Sequence, residues 1–379
     1  MKLWFSLMIL LAMSINVSAE DGVTPSEIVL GQSSALTGPA SALGGGMKAG
    51  LSACFDKINE EGGLNGKKIR LISKDDGYEP DSAIKNTREL VEKDKVFLLI
   101  GEVGTPTAKA VMPIVEEAKI PFLAPFTGAE FLRNPFNRYI INVRGSYYQE
   151  MEKLASYLVD QKKLKKIACF YQNDGYGQAG LNGIKIALEK RSLTVVATGT
   201  YERNTVAVKG GILDIRIANP DAIVMVGTYQ PCAEFIKLSK KAGMKNVVFC
   251  NISFVGTEAL QKELGRDGEG TIISQVVNFP WDKSVPLVKE YNEAMAKHQP
   301  DWPIGFVSLE GYMAGKLFAM VAKKVQGDLT REAFIKTVST VSTFDLGGIS
   351  LQFGPNDHQG MDRIFLTIIK EGNIQPLEE

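Results

Sequence analysis

Hydroxyl side chains and glycines recur in three loops of the sequence, each placed after a short apolar run. The loops are residues 33–39, 101–107 and 125–129, and the last two contain Thr105 and Thr127. Such loops lead into helices, whose free backbone N–H groups and dipole favour an anionic group such as a carboxylate. Ordinary N-capping by threonine is the alternative interpretation. We predict that both threonines bind a ligand. The neighbouring candidates are Gly104, Phe126 and Gly128.

Aromatic side chains occupy the corresponding loops in the second half of the chain. Tyr176 follows one apolar run, Tyr229 follows another, and Phe254 follows a third. Rings at loop tips are exposed unless a second surface covers them, and a closing cleft provides such a surface. Packing in the core is the alternative, and for Phe254 and Phe279 both interpretations stay open. Further aromatic candidates are Tyr147, Tyr148 and Trp281.

Motifs of the common enzyme classes are incomplete or missing. The sequence has no G-x-S-x-G nucleophile motif. The run Gly63–Lys67 suggests a phosphate-binding loop, but Glu61 stands in place of its first glycine and Lys68 in place of its Ser/Thr. The run Gly44–Gly46 does not continue into a dinucleotide-binding motif, because Ala49 takes the place of the last glycine. We therefore predict a protein that is not an enzyme.

The titratable residues offer no catalytic or metal site. Asp75 and Asp76 precede Gly77, which favours a turn over acid–base chemistry. His358 lies in a turn-rich run with no obvious nucleophile to serve. We predict no catalytic residue, no metal site and no cofactor. The cysteines form no C-x-x-C pair and are favoured as buried free thiols, although a disulfide between the last two stays open: Cys54, Cys169, Cys232 and Cys250.

Short β-rich runs alternate with amphipathic helical runs along the chain, which predicts right-handed βαβ units and parallel sheets covered on both faces. The run 96–101 and its loop resemble the run 222–227 and its loop, so we predict two lobes built on one plan. Chance resemblance between α/β units is the alternative. The predicted strands are 28–31, 68–73, 96–100, 121–124, 166–171, 193–199, 222–226, 246–249, 271–278, 349–353 and 362–370, and the main helices are 82–92, 106–118, 148–161, 180–190, 206–218, 232–242, 286–297 and 307–324.

Length and charge point to an exported protein of two domains. The 379 residues exceed what one core usually serves, and the numbers of basic and acidic side chains are equal, at 43 each. No basic excess is left for binding nucleic acid. Residues 1–19 are typical of a cleaved signal peptide, since Lys2 precedes an apolar run too short to span a bilayer and Val17-Ser18-Ala19 offers a cleavage site. A retained anchor is the alternative. We expect a monomer that starts at Glu20, lies in the periplasm and is not inserted in the membrane.

Several motifs in their order along the chain resemble the solute-binding components of branched-chain amino-acid ABC importers. They are Leu36-Thr37-Gly38-Pro39, the run 59–66, Asp75-Asp76, the run 101–105 and the run 125–129. The resemblance implies a type I periplasmic-binding fold, α/β in class, with two doubly wound parallel-sheet lobes, a hinge of about three crossover strands and hinged closure. We place the lobes at residues 20–145 plus about 277–345, and at residues 146–276 plus about 346–379.

The resemblance also implies roles for single residues. Positions matching Thr105 and Thr127 hold the ligand carboxylate and part of the ammonium, and those matching Tyr176 and Tyr229 close over the ligand. Leu43 stands where leucine binders often have an aromatic ring. Ser253 takes the place of a glutamate that pairs with the ligand ammonium, and a buried ammonium without such a partner is costly. The residues that could replace this glutamate are Glu102, Glu150 and Asp174.

Two functions are therefore kept open. The first is a binding protein that delivers an amino acid, or a related carboxylate or amide, to the membrane permease of an ABC importer. The second is a sensor subunit, or a carrier of a larger apolar ligand, that works without an importer. A large apolar pocket would favour the second, and its walls are predicted to be Phe126, Tyr148, Phe254 and Trp281.

Overall fold

The computed structural model describes residues 20–377, and the predicted signal peptide lies outside this range. A parallel five-stranded sheet has the order β2-β1-β3-β4-β5. Helices connect its first four strands and pack on both faces of the sheet. The segments that follow β3 and β4 contain the two threonine candidates, Thr105 and Thr127. The elements are β1 (Glu27–Ser34), α1 (Ser41–Glu60), β2 (Lys68–Asp75), α2 (Pro80–Glu92), β3 (Leu98–Ile100), α3 (Thr105–Ala118), β4 (Phe122–Leu123) and β5 (Ile140–Ile141).

A second sheet repeats this plan. Its parallel strands have the order β7-β6-β8-β9-β10. In each sheet, the second strand in sequence forms one edge beside the first strand, and the third strand lies on the other side of the first. The prediction of two similar doubly wound lobes is confirmed. The elements are α4 (Tyr147–Ala155, continued by a π-helical turn over Ser156–Gln161), β6 (Ile167–Gln172), α5 (Gly175–Glu189), β7 (Thr198–Tyr201), α6 (Lys209–Arg216), β8 (Ala222–Val226), α7 (Tyr229–Lys241), β9 (Val248–Asn251), α8 (Thr257–Leu264) and β10 (Ile272–Gln275).

The last part of the chain is shared between the two sheets. Helices α9 and α10 pack on α1, whereas β13 and β14 extend the second sheet in antiparallel fashion beyond β10. We call the first sheet with α1–α3 and α9–α11 the first lobe, and the second sheet with α4–α8 the second lobe. The elements are α9 (Pro286–His298), α10 (Phe306–Lys324), α11 (Arg331–Val341), β11 (Thr343–Asp345), β12 (Ser350–Gln352), β13 (Phe365–Lys370) and β14 (Asn373–Pro376).

The chain crosses between the lobes in three connecting segments, residues 142–146, 276–285 and 353–364. These segments are mostly irregular, and the first and last are joined by a parallel bridge between Asn142 and Gln359. Strand β12 pairs with β11 and packs, through Leu351, in the same apolar cluster as Phe318 of the first lobe. The predicted boundary placed residues from about 346 in the second lobe, and the exact bounds of the lobes stay a prediction.

Local chemistry explains where the elements differ from the predicted ones. Helix α5 was predicted from residue 180, but Asp174 accepts hydrogen bonds from the backbone N–H groups of Tyr176 (2.9 Å) and Gly177 (3.4 Å) and starts the helix at Gly175. The glycine-rich loop is therefore the first turn of a helix. Of the predicted strand 193–199, Thr198 and Gly199 belong to β7, and Val196 and Ala197 precede it with single backbone hydrogen bonds to β6.

All four cysteines are buried and free, so the predicted free thiols are confirmed and the Cys232–Cys250 disulfide is not formed. Burial raises the pKa of each thiol, to about 12 for Cys169. No helix within residues 20–377 is long and apolar enough to cross a membrane.

Candidate ligand-binding site

Three hydroxyl groups from separate elements converge at the carboxyl edge of the first sheet. Thr105 is the first residue of α3, Thr127 follows β4, and Tyr147 is the first residue of α4. The Thr105 Oγ1 atom lies 2.6 Å from Thr127 Oγ1 and 3.4 Å from the Tyr147 hydroxyl oxygen, and Thr127 Oγ1 lies 3.2 Å from that oxygen. All three side chains are buried. The sequence predicted the two threonines as ligand-binding residues, and the structure brings them together with a tyrosine.

Glycines on either side of the threonines let aromatic rings approach the loops. A Cβ atom added to Gly104, whose φ is +121°, would lie 2.4 Å from Cε2 of Tyr78. A Cβ atom added to Gly128 would lie 2.6 Å from Cδ1 of Tyr147. Any larger residue would therefore move a ring out of the site. The loops also fix each other, since the Phe126 N–H donates to the backbone oxygen of Glu102 at 2.7 Å.

Five aromatic rings from both halves of the chain pack beside the hydroxyl groups. The Phe254 ring lies 4.6 Å from the ring of Tyr176, 5.5 Å from that of Phe126 and 6.0 Å from that of Tyr78, measured between centroids. The rings of Tyr147 and Tyr176 are 5.6 Å apart. Burial raises the pKa of the Tyr78, Tyr147 and Tyr176 hydroxyls, so they are neutral donors. Together the rings and hydroxyls form a buried cluster with hydrogen-bonding groups at one end, and we call it the central site.

Two of the predicted aromatic candidates lie elsewhere. Tyr148 is half-buried on the outer side of α4, with Cδ1 only 3.0 Å from where a Cβ atom on Gly183 would lie. Successive helical residues point about 100° apart, and Tyr147 rather than Tyr148 faces the central site. Trp281 is 39% exposed and packs on Phe279 and Phe306. The structure therefore places neither residue beside the three hydroxyl groups, and their role in ligand binding stays a prediction.

Leu43 and Tyr229 lie where the lobes touch. Leu43 on α1 is fully buried, and its Cδ2 atom lies 2.6 Å from where a Cβ atom on Gly256 would be. The Tyr229 hydroxyl accepts a hydrogen bond of 3.4 Å from the backbone N–H of Ala42. Both residues thus belong to the contact between α1 of the first lobe and loops of the second lobe.

Ser253 binds a carboxylate of its own chain. Its backbone N–H and its hydroxyl donate to the oxygens of Glu150, at 2.8 Å and 3.0 Å, and the Ser274 hydroxyl donates to the same carboxylate at 2.6 Å. Burial raises the pKa of Glu150, and the guanidinium of Arg144 and the serine hydrogen bonds partly offset this effect. Of the three predicted substitutes for the missing glutamate, Glu150 is the one that contacts Ser253.

The other two predicted substitutes have different surroundings. Glu102 is buried behind the Thr105 loop, and its Oε1 atom has no hydrogen-bond partner among the described residues. Burial, and then the nearby Asp76, raises its pKa well above the ordinary value of 4.5, which favours the neutral form. Asp174 caps α5 and accepts from Arg203 at 3.2 Å.

A buried ion pair lies under the central site. Arg144 donates to both oxygens of Glu310 at 2.8 Å, and its guanidinium carbon lies 4.1 Å from the centroid of the Phe126 ring. Sequence reasoning missed this pair because its members are 166 positions apart and neither belongs to a motif. It also missed Tyr78, although the turn signal of Asp75 and Asp76 is what carries that ring into the site.

Comparison with known proteins gives a consistent result. The chain matches the periplasmic binding protein family over residues 27–373. Leu/Ile/Val-binding protein homolog 7 of Brucella abortus (strain 2308) is 24% identical over 360 residues, which cover 91% of this chain and 89% of that protein. A crystal structure described as a possible leucine/isoleucine/valine-binding protein from Rhodopirellula baltica SH 1 superposes with a TM-score of 0.89 at 36% identity, over 96% of this chain and 98% of that one.

A protein whose description names a different ligand shares the fold. A fatty acid ABC transporter substrate-binding protein from Thermomonospora curvata superposes with a TM-score of 0.85 at 24% identity, over 94% of this chain and 93% of that one. The resemblance predicted from the loop motifs is confirmed, and these relatives are solute-binding proteins rather than enzymes. The chain belongs to the periplasmic binding protein family.

Proposed function

We propose that this protein binds a small carboxylate-bearing molecule between its lobes, with the carboxylate on the hydroxyls of Thr105, Thr127 and Tyr147. The observation that carries the proposal is the convergence of these hydroxyls, 2.6–3.4 Å apart, beside rings of the second lobe. Hydroxyl donors in a buried place stabilise an oxyanion more than they would in water. The rings would cover the apolar body of the ligand. The proposed ligand-binding residues are Leu43, Gly104, Thr105, Phe126, Thr127, Gly128, Tyr147, Tyr176, Tyr229 and Ser253.

The proposed ligand is an amino acid or a related carboxylate or amide, and the proposed task is delivery to the membrane permease of an ABC importer. Relatives described as Leu/Ile/Val-binding proteins support this class of ligand, and one described as an ABC transporter substrate-binding protein supports this task. The proposal includes export with cleavage after Ala19, a location in the periplasm and a monomeric state.

A carrier of a larger apolar ligand, or a sensor subunit, is the second candidate. The five aromatic rings of the central site and the neighbour described as a fatty acid binder favour it. Against it, only Phe126 and Phe254 of the predicted apolar wall meet in the site, since Tyr148 and Trp281 lie outside it. We therefore favour a compact ligand.

A thermal-shift screen of protein refolded without carried-over ligand tests the proposal against amino acids, amides, short carboxylates and fatty acids. A ligand present at a hundred times its Kd adds about 2.7 kcal/mol to the free energy of unfolding. For the compound with the largest shift, Thr105→Val should weaken binding about tenfold or more, because it removes a donor and keeps the shape.

Thr340→Val is the matched control, since Thr340 is exposed on α11, away from the central site, and its hydroxyl donates to the backbone oxygen of Lys336. Its affinity should equal that of the wild type. A Thr105→Val variant that binds as tightly as the wild type would show that the hydroxyl group of Thr105 does not hold the ligand.

A further inference from the structure

The side-chain amide of Asn251 is buried without a partner. The residue has no exposed surface, and neither Oδ1 nor Nδ2 forms a hydrogen bond with any of the residues 20–377. An amide offers two donor and two acceptor positions, and leaving a buried polar group unpaired destabilises the fold. Natural proteins keep few such groups, and those that persist call for an explanation.

The position of Asn251 in the fold offers an explanation for its unpaired amide. It is the last residue of β9, aligned with Met225 of β8 and Ile273 of β10. The carboxyl ends of parallel strands are where open α/β sheets bind ligands. The chain then runs within three residues through Ser253 to Phe254, whose ring belongs to the central site.

The carboxylate in this neighbourhood is already occupied. Glu150 accepts from the N–H and hydroxyl of Ser253 and from the hydroxyl of Ser274, and the Ser274 hydroxyl also lies 3.5 Å from the backbone oxygen of Asn251. A ligand group here therefore meets a neutral amide with a free donor and a free acceptor. A neutral group with one donor and one acceptor of its own is the complement, and a carboxamide has this pattern.

We propose that Asn251 recognises an amide of the ligand, with its Oδ1 accepting from the amide N–H and its Nδ2 donating to the amide carbonyl. The ligand is then an acid with a neutral amide where an amino acid has its ammonium group, as in an N-acyl amino acid. This inference rests on the proposed function, which places the carboxylate on the hydroxyls of the central site.

Calorimetric titration with N-acetyl-leucine, leucine and 4-methylpentanoate tests it, because these share a carboxylate and a side chain and differ in the amide. The wild type should bind N-acetyl-leucine at least tenfold tighter than either of the others. Asn251→Leu should lower the affinity for N-acetyl-leucine to that for 4-methylpentanoate, and should leave the affinity for 4-methylpentanoate within about twofold.

Thermal stability without ligand separates recognition from a structural role. Asn251→Leu removes an unpaired polar group, so its unfolding midpoint should stay level or rise by about 1–3 °C. Thr271→Val is the matched control, since the buried Thr271 hydroxyl is equally unpaired within residues 20–377 but precedes the amino end of β10, whereas Asn251 is at the carboxyl end of β9. That variant should keep the affinity for N-acetyl-leucine.

Three results would overturn the inference: tighter binding of leucine than of N-acetyl-leucine, unchanged binding in Asn251→Leu, or a midpoint lowered by several degrees in that variant. The last would mean that the amide is held within the fold, through an ordered water. If the wild type binds none of the three compounds and nothing in the wider screen, the proposed function itself is wrong.

Discussion

At the scale of single residues, Asp75 and Asp76 show how neighbouring carboxyl groups acquire opposite properties. Asp76 accepts from the Ser33 hydroxyl and the Tyr78 N–H, and burial raises its pKa from 3.8 to about 6. Burial also raises the pKa of Asp75, but the Thr37 hydroxyl and the backbone N–H groups of the turn outweigh it and lower that pKa. The turn that they form carries Tyr78 into the central site, as the sequence predicted of a turn rather than of acid–base chemistry.

This difference predicts opposite dependences of stability on pH. In the folded protein Asp76 holds its proton up to about pH 6, whereas in the unfolded chain it loses it near 3.8, so the free energy of unfolding falls as pH rises between these values. Asp76→Asn should therefore raise that free energy at pH 7.5, by up to about 3 kcal/mol, and change it little at pH 4. Denaturant unfolding at both pH values measures it.

Asp75→Asn is the internal control for the pH prediction. The pKa of Asp75 is lowered in the folded protein, so its contribution is present at neutral pH and lost as the pH falls. This variant should be less stable than the wild type at pH 7.5. Two results would contradict the opposite pKa shifts of Asp75 and Asp76. One is an Asp75→Asn variant that is more stable than the wild type at pH 7.5, and the other is an Asp76→Asn variant whose stability depends on pH as that of the wild type does.

How far single site residues could be predicted depended on whether local sequence carried the signal. Thr105 and Thr127 follow strands in glycine-containing loops, and this local pattern was enough to bring both to the central site. The phase of a helix is not readable from two adjacent tyrosines, so Tyr147 and Tyr148 were both candidates, and only the structure shows that Tyr147 faces the central site. Arg144 could not be predicted because its partner Glu310 is distant in sequence. Asn251 could not be predicted because only the folded chain shows that its side-chain amide has no partner among the described residues.

At the scale of elements, glycines let α1 and α10 approach closely where they cross. A Cβ atom on Gly50 of α1 would lie 1.9 Å from the backbone oxygen of Ser308 on α10, and one on Gly311 of α10 would lie 2.4 Å from that of Met47. The two backbones therefore touch where the helices cross. This contact fixes α10, which carries Glu310 and hence the position of Arg144 under the central site.

Gly50→Ala should accordingly be destabilising, by about 3 kcal/mol, because the methyl group would meet backbone atoms that cannot turn aside. Gly210→Ala is the matched change, since nothing lies within 4 Å of its added Cβ atom on α6. That variant should raise the free energy of unfolding by up to about 1 kcal/mol through helix propensity. Equal effects of the two substitutions in denaturant unfolding would show that the helices separate easily.

Strand–helix alternation was the strongest signal at this scale, and it predicted both sheets. The elements that it missed include β5, α8, α11, β11 and β14. β5 is only Ile140–Ile141, which is too short for any period, and α8 follows directly on the loop of Ser253 and Phe254. The last strands were predicted without their partners, and the structure pairs one with β11 and the other with β10 and β14.

At the scale of the whole molecule, charged and polar groups join the lobes at the edge of the cleft. Arg203 of the second lobe donates to Glu79 of the first at 2.8 Å and to Asp174 at 3.2 Å. Asn204 donates to Glu79 at 2.7 Å and to the backbone oxygen of Gly77 at 3.1 Å. Because Glu79 follows Tyr78 in sequence and Asp174 caps the helix of Tyr176, these contacts connect the edge of the cleft with rings of the central site.

Interactions between the lobes stabilise the closed conformation, in which the lobes are in contact. They therefore also favour the binding of a ligand that both lobes hold. Arg203→Gln should therefore weaken the affinity for the tightest compound of the screen by about fivefold, the size of a partly exposed ion pair. The effect should shrink at 0.5 M salt, and X-ray scattering of the ligand-free variant should give a larger radius of gyration. Arg88→Gln is the control, because Arg88 pairs at 3.2 Å with Glu92 of its own helix. If the two variants have the same affinity and radius of gyration, the Arg203 ion pair does not contribute to closure, and closure depends on the rings and hydroxyls of the central site.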